Sequence, residues 1–203
     1  MSITFELVWW AFGGQTKKYQ DFSVEKDDLI FACGSCNQNE INFELTGINA
    51  TLLIRRGSHI NQTKVWRALE SGNVRVTQFG KGNNWDHIVG IVRPSETPFG
   101  GWRVLGTYTS SPAGSPKYTA SVEAGTIIFI HRYASSQYQP VDDPPTITGV
   151  DYTTLVDGLP EGSAEAGNAR ETVIKTLSSG TITIVGPDTH WMQVNYVVPV
   201  TLG

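Results

Sequence analysis

Hydrophobic and polar residues alternate with a period of two along most of this 203-residue chain. Ile41, Phe43 and Leu45, for example, alternate with polar residues, and residues 3–9 show the same pattern. Successive side chains of a strand point to opposite faces of a sheet, so this period predicts half-buried β-strands. The β-branched residues Val, Ile and Thr number 54 against 11 Leu, which also favours strands over helices.

Turn signals rich in Gly, Asn and Ser separate the alternating runs, and the first half of the chain contains eight runs. The predicted strands lie near residues 3–11, 19–24, 29–33, 41–45, 51–56, 64–69, 74–79 and 87–93. Eight short strands within about 100 residues are typical of a jelly roll or a related β-sandwich. The sequence therefore predicts an all-β fold.

The segment 163–178 carries two competing patterns. Ala169 and Val173 belong to a series at helical spacing, which predicts a short helix. Residues 172–177 also alternate like a strand, and residues 181–184 resemble the returning strand of a hairpin. The pattern leaves both structures open, and the hairpin is the preferred interpretation.

Three blocks of the first half recur in the same order in the second half. The first two pair residues 18–31 with 117–129 and residues 65–76 with 173–184, at offsets of 98 and 108 residues. The third pairs the stretch after Trp85 with the stretch after Trp191, at an offset near 106. This order predicts an internal duplication.

The duplication predicts two tandem β-sandwich modules, residues 1–97 and 98–203, each with a jelly-roll-like or related architecture. Leu69 and Leu177 fall at equivalent positions of the two copies, and we expect both to lie in a core. A feature that occurs in only one copy cannot be required by the shared fold. Differences between the copies therefore indicate candidate functional residues.

The second copy is longer than the first by about ten residues. The segment 139–166 contains four prolines and six acidic residues, and we expect it to form a solvated surface insertion outside the shared fold. Tyr138, Asp142 and Asp143 lie in or next to this insertion. They are candidate residues for assembly or binding.

The charge of the chain is low and slightly acidic. It has 15 basic and 19 acidic residues, a net charge of −4, and this balance gives no general attraction to phosphate. The apolar run 7–12 is far shorter than the ~20 residues of a membrane-spanning helix. We therefore expect no nucleic-acid partner and no membrane insertion.

Cys33 and Cys36 form a CxxC motif after an apolar run. In thioredoxin-like proteins this motif opens a helix within a βαβ unit, but residues 37–45 alternate like another strand. The equivalent residues of the second copy are His131 and Ala134. Plain thiols in a turn are the preferred interpretation, and half of a zinc site or a redox pair are the alternatives.

Metal and cofactor motifs do not emerge from the sequence. The four histidines lack the HxH, HExxH or HxxxH spacing of zinc ligands, and no P-loop, GxGxxG or GxSxG motif occurs. The acidic pair Asp142 and Asp143 lacks the alternating oxygen ligands of a calcium loop. We therefore predict no cofactor, no bound metal and no enzymatic activity.

The turn Asn83-Asn84-Trp85-Asp86 combines an aromatic ring with hydrogen-bonding side chains. Proteins that bind sugars use this combination, because the ring packs on the sugar while amides and carboxylates bond its hydroxyls. The apparent repeat of Trp85 at Trp191 favours a structural role, in which each tryptophan anchors the last strand of its copy. Both interpretations stay open.

Three segments of the first copy together resemble the small β-sandwich modules of tailed-bacteriophage virion structural proteins. They are residues 24–32 (VEKDDLIFA), 65–72 (VWRALESG) and 87–93 (HIVGIVR). The shared pattern is a strand after an aspartate, a central strand with an aromatic and a basic residue, and a final strand that ends near an arginine.

The resemblance implies a non-enzymatic component of a tail, baseplate or capsid. Its implied partners are copies of itself, other virion proteins and a glycan or receptor on the host surface, and its implied location is the virion, assembled in the host cytoplasm. One alternative function is a soluble carbohydrate-binding lectin, motivated by the Trp- and Asn-rich turns. The second is a thiol oxidoreductase that uses Cys33 and Cys36.

Overall fold

The computed structural model describes residues 3–11, 19–36, 41–58, 61–80, 85–94, 99–109, 117–134, 144–158, 169–186 and 190–201. These residues form strands and their connecting turns, and they include no helix, so the predicted all-β class is confirmed. No helix in the described ranges is therefore long and apolar enough to span a membrane.

The described residues form eight strands in the first half of the chain and eight in the second. The first eight are β1 (Ile3–Ala11), β2 (Tyr19–Val24), β3 (Leu29–Cys36), β4 (Ile41–Thr46), β5 (Ala50–Ser58), β6 (Asn61–Ala68), β7 (Gly72–Gly80) and β8 (Trp85–Pro94). The others are β9 (Phe99–Thr109), β10 (Lys117–Val122), β11 (Ile127–Ala134), β12 (Thr146–Thr148), β13 (Tyr152–Gly158), β14 (Ala169–Thr176), β15 (Gly180–Val185) and β16 (His190–Thr201).

The chain divides into two compact units, Met1–Phe99 and Gly100–Gly203. In the first unit, one sheet has the strand order β1-β8-β3-β6-β5 and the other has the order β2-β7-β4. The first strand pairs with the eighth, the second with the seventh and the third with the sixth, which is the nesting of a jelly roll. The fifth strand departs from that nesting, because it pairs with β6 rather than β4.

The second unit has the same strand order. Its sheets run β9-β16-β11-β14-β13 and β10-β15-β12, so every strand has a counterpart eight elements earlier in the chain. The core of each unit draws buried residues from both of its sheets, for example Ile30 and Val76 in the first unit and Ile130 and Ile182 in the second. Each unit is therefore a two-layer sandwich.

The turns at one end of each sandwich also correspond. The N–H of Asp27 donates to the carbonyl oxygen of Ala68 at 2.9 Å, and the N–H of Gly125 donates to that of Thr176 at 2.8 Å. Asp27 and Gly125 both have positive φ angles, 75° and 87°. Aspartate tolerates this left-handed conformation better than most residues, and glycine adopts it without strain.

An irregularity of one edge strand recurs as well. The register between β5 and β6 shifts between Leu52 and Ile54, and the register between β13 and β14 shifts between Thr154 and Val156. Common strand order, turns and bulges are what a duplicated ancestor would leave. Duplication itself stays a prediction.

The prediction that Leu69 and Leu177 lie in a core is wrong. Their exposed fractions are 44% and 56%. Both residues lie in the turn that follows β6 or β14, beyond the strand segment that enters the core. Their positions are equivalent, but the shared role is to form a turn.

The segment 163–178 contains strand β14 rather than a helix in its described part. The expected hairpin is nevertheless wrong, since β14 pairs with β11 and β13 while β15 pairs with β10 and β12. The turn at residues 177–179 carries the chain from one sheet to the other. Alternation along the two strands could not distinguish this crossover from a hairpin.

The structural register of the third repeat block differs by one residue from the register that the sequence predicts. Ile88 lies opposite Cys33, and Gln193 lies opposite His131, so the structural offset of the last strands is 105 rather than 106. A shift of one residue exchanges the two faces of a strand. Trp85 therefore corresponds to His190, and the apparent tryptophan repeat does not support a shared anchoring role.

The expected insertion at residues 139–166 contains two strands of the shared fold. β12 and β13 occupy the places of β4 and β5 in the strand order. The strand pairings divide the extra ten residues into four that precede β12 and six that follow β13. The described part of the segment is thus a pair of sheet strands that both units share, and the extra residues precede and follow this pair.

Candidate functional site

Five of the seven candidate residues from the sequence lie outside the described residues. They are Asn83, Asn84, Tyr138, Asp142 and Asp143. The structure places Trp85 and Asp86 at the start of β8 but describes only their backbone. The proposed binding or assembly role of these seven residues therefore stays a prediction.

Cys33 and Cys36 belong to one continuous strand, β3, and not to a turn. At about 3.3 Å per residue, their Cα atoms are about 10 Å apart, whereas a disulfide needs less than about 7 Å. The Cys33 side chain is also completely buried. The strand geometry argues against a redox cycle that joins these two cysteines.

Equivalent positions of the two units provide a better guide to function. On the face of the five-stranded sheet that points away from the sandwich core, the first unit places Cys33 beside Thr63. The second unit places His131 beside Glu171 at the same positions. All four side chains are buried, so the polarity of this face differs between units of the same fold.

His131 and Glu171 form a buried hydrogen-bonded pair. The distance from Nδ1 of His131 to Oε2 of Glu171 is 3.0 Å, and each side chain is at most 2% exposed. The imidazole also stacks on the ring of Tyr133, with 5.6 Å between centroids. The carboxylate and the ring fix the orientation of the imidazole.

Several polar atoms on this face lack hydrogen-bond partners. They are Nε2 of His131, Oε1 of Glu171 and both amide atoms of Asn195. Burial without partners is costly for each atom, so the arrangement suits a water molecule or a small polar group. The described residues contain no cluster of three metal-ligating side chains.

A second polar group in this unit surrounds Asp157 on β13. Arg170 donates to both carboxylate oxygens of Asp157, at 3.1 and 3.0 Å, and Thr172 donates at 2.8 Å. Burial raises the pKa of Asp157, but these hydrogen bonds and the charges of Arg170 and Arg132 outweigh burial and hold it below its usual value. Asp157 is thus an ionised partner for two arginines, rather than a purely solvated acid of an insertion.

The first sandwich also has a polar group in its interior. Its Lys64 on β6 occupies the position that Thr172 occupies on β14. Nζ of Lys64 donates to the carbonyl oxygen of Phe43 at 2.6 Å, and the ammonium lies 6.0 Å from the ring centroid of Trp66. Both amide atoms of Gln78 and Oε1 of Gln62 are buried without hydrogen-bond partners. These side chains can hold ordered water between the two sheets.

Three tyrosines meet beside the core of the second sandwich. The ring of Tyr108 lies 5.5 Å from that of Tyr118 and 5.7 Å from that of Tyr196, edge to face in the second case. The hydroxyl of Tyr196 is buried without a hydrogen-bond partner. Burial and the neighbouring tyrosines raise the pKa of Tyr196 well above its usual value, so its phenol stays neutral.

Two exposed aromatic side chains of the first unit lie on the outer face of β2, β7 and β4. We call it the Tyr19 face, formed by the outward side chains of Tyr19, Asp21, Ser23, Asn42, Glu44, Thr46, Asn73, Arg75, Thr77 and Phe79. Tyr19 and Phe79 are 43% and 46% exposed. They are diagonal neighbours on adjacent strands, and Cα atoms at such positions are about 7–8 Å apart.

Arg75 organises the centre of the Tyr19 face. Its Nε and NH2 groups donate to the two carboxylate oxygens of Asp21 at 2.7 and 2.8 Å. Its guanidinium carbon lies 4.2 Å from the ring centroid of Tyr19. Hydrogen bonding to Asp21 raises the pKa of Arg75 above its ordinary value, so the guanidinium is charged at any physiological pH.

The equivalent face of the second unit has different chemistry. Lys117 replaces Tyr19, while Thr119 and Thr183 replace Asp21 and Arg75. The hydroxyls of these two threonines lie 3.3 Å apart. At these described positions the sheet forms without the Tyr19 ring and the Asp21–Arg75 pair, so the fold does not require them.

Sequence reasoning missed Tyr19, Arg75 and His131. Alternation along each strand shows which residues share a face, but strand pairing is needed to show which residues of different strands are neighbours. Comparison with known proteins adds no further guide, because no family model, curated protein or solved structure matches this chain.

Proposed function

We propose that the chain is a non-enzymatic structural component of a phage-type virion, in a tail, baseplate or capsid. The observation that carries the proposal is the same jelly-roll-like strand order in two tandem units. Jelly rolls are recurrent building blocks of viral capsids, and they also occur in lectins. The partners are copies of the chain and other virion proteins.

The sheet edges support a role in ordered assembly. Edge strand β5 has a bulge and carries the exposed Arg55 and Arg56, and both features oppose pairing with foreign strands. On edge strand β4, the carbonyl of Phe43 is bonded by Lys64 and its N–H by the side chain of Asn42. Subunit contacts then use side chains and connections rather than continued sheets.

A proteomic and microscopic experiment tests the proposal. Antibody against the full chain is used to locate it in particles purified from the source, while mass photometry measures the oligomeric state of the recombinant chain. We expect a fixed copy number in particles and a defined oligomer in solution. A strictly monomeric chain that is absent from every particle contradicts the proposal.

A further inference from the structure

We propose that the Tyr19 face is a binding site for neutral, pyranose-containing glycans. The proposal concerns the described face alone, and it does not depend on whether the chain belongs to a virion. Its basis is the combination of two exposed aromatic rings with a fixed ion pair on one sheet surface.

The two rings provide apolar platforms. Tyr19 and Phe79 remain nearly half exposed although each lies within a sheet. The axial C–H groups of a pyranose form an apolar face of about the size of an aromatic ring, and they are attracted by the negative face of the ring. Two exposed rings at diagonal positions of neighbouring strands, whose backbone positions are about 7–8 Å apart, suit consecutive sugar residues better than a single small solute.

The polar side chains provide hydrogen bonds in fixed positions. Two bonds to Asp21 and stacking on Tyr19 orient the Arg75 side chain across the face. Sugar hydroxyls both donate and accept, and they can bridge a carboxylate and a guanidinium of this kind. Arg75 also restrains the Tyr19 ring.

The charge of the face selects neutral sugars. Its outward residues include the two acids Asp21 and Glu44 and the single base Arg75. The carboxylate of Asp21 already pairs with Arg75, so the described face offers no second cation for a sialic acid or a sulfate. An acidic glycan would face repulsion from Glu44.

The second unit supplies the internal control. At the same sheet positions it has Lys117, Thr119 and Thr183, so these described positions carry neither the Tyr19 ring nor the Asp21–Arg75 ion pair. The two sheets have the same strand order although the side chains on their outer faces differ. A substitution on either face is therefore expected to change the local chemistry of that face and not the fold.

The experiment uses the full chain on an array that carries neutral, sialylated and sulfated glycans. The strongest neutral ligand is then titrated calorimetrically against wild type and against Tyr19→Ala, Phe79→Ala, Tyr19→Trp and Lys117→Ala. Loss of a stacking ring weakens binding by about tenfold or more. We expect that loss for Tyr19→Ala and Phe79→Ala, and near wild-type affinity for Tyr19→Trp and Lys117→Ala.

Three results overturn the proposal: no neutral glycan binds above background, the preferred glycan is acidic, or affinity survives in both Tyr19→Ala and Phe79→Ala. Circular dichroism melting of each variant verifies folding, and both replaced side chains are exposed. Failure here leaves the virion proposal intact, because copy number in particles is measured independently.

Discussion

Lys64 joins the two sheets of the first sandwich through a hydrogen bond from its Nζ to the carbonyl oxygen of Phe43, 2.6 Å away. Lys64 is on β6 of the five-stranded sheet, and Phe43 is on β4 at the edge of the three-stranded sheet. A charged donor strengthens the bond, but Lys64 is only 9% exposed, and burial disfavours its charged form.

This burial makes the stability of the chain depend on pH. Burial and the charge of Arg55 lower the pKa of Lys64 below 10.5, against a smaller opposing effect of Glu44. As pH rises toward 10.5, the folded chain loses this proton before the unfolded chain does. The free energy of unfolding therefore increases with pH, which means that the folded chain becomes more stable. We expect Lys64→Met to remove that increase.

The measurement is urea unfolding between pH 8 and 10 for wild type, Lys64→Met and the exposed control Lys117→Met. The stability difference between wild type and Lys64→Met should shift in favour of wild type as pH rises. Lys117→Met should show no such trend. A pH-independent difference for Lys64→Met would show that Lys64 has an ordinary affinity for its proton.

The raised pKa of Tyr196 should make the stability of the chain fall at higher pH, which is opposite to the effect of Lys64. Its pKa is raised by burial first and by Tyr108 and Tyr118 second, so above pH 10 the unfolded chain loses this proton more readily than the folded chain. The stability of wild type should therefore fall as pH rises above 10. Tyr196→Phe should reduce this loss, whereas the exposed Tyr152→Phe should not.

At pH 7, Tyr196→Phe should be neutral or stabilise by up to about 1 kcal/mol, because it removes a buried hydroxyl without a partner. Thermal melting at pH 7 and pH 11 checks both parts. A loss of more than about 2 kcal/mol at pH 7 would indicate that the hydroxyl is hydrogen-bonded in the folded chain.

Local alternation predicted the eight strands of the first unit well, because each strand is apolar on the side that faces a core. Strands near residues 3–11 and 19–24 were predicted with the observed bounds. The sheet to which each strand belongs could not be predicted this way. β14 and β15 alternate like the arms of a hairpin, yet they lie in different sheets.

The candidate site was harder to predict for a related reason. The Tyr19 face draws its main residues from β2 and β7, and its ion-paired residues Asp21 and Arg75 are 54 positions apart in the chain. The offset error at β8 and β16 shows the same limit, since one residue of slip reverses the face without changing the composition. Only the pairing of strands that are distant in the chain shows which residues share a surface.

Two aspartates of the first unit should differ in their contribution to stability. Asp28 is completely buried, accepts the N–H of Glu25 at 2.8 Å and pairs with Arg93 at 2.8 Å. Asp21 pairs with Arg75 at 2.7 Å, but both side chains are about half exposed. Solvent weakens the second pair. Loss of Asp28 instead removes the acceptor of a turn N–H and the buried partner of Arg93, which keeps only its 3.4 Å contact with the exposed Glu25.

We expect Asp28→Ala to lower the free energy of unfolding by about 2–4 kcal/mol and Asp21→Ala to lower it by less than about 1 kcal/mol. Guanidinium unfolding of the two variants measures the difference. Equal costs would mean that the turn at Asp28 is not held by its carboxylate.

The His131–Glu171 pair tests whether the two units tolerate each other's residues. His131→Cys alone leaves the Glu171 carboxylate buried without its partner and should cost about 3–5 kcal/mol, and Glu171→Thr alone should cost about 1–3 kcal/mol. The double variant carries the residues of the equivalent positions, Cys33 and Thr63, which pack in the same sheet of the first unit. It should therefore be more stable than the sum of the single costs predicts, by at least about 1 kcal/mol. Unfolding of the four proteins in a double-mutant cycle measures this coupling, and additive costs would show that the 3.0 Å contact does not link the two side chains energetically.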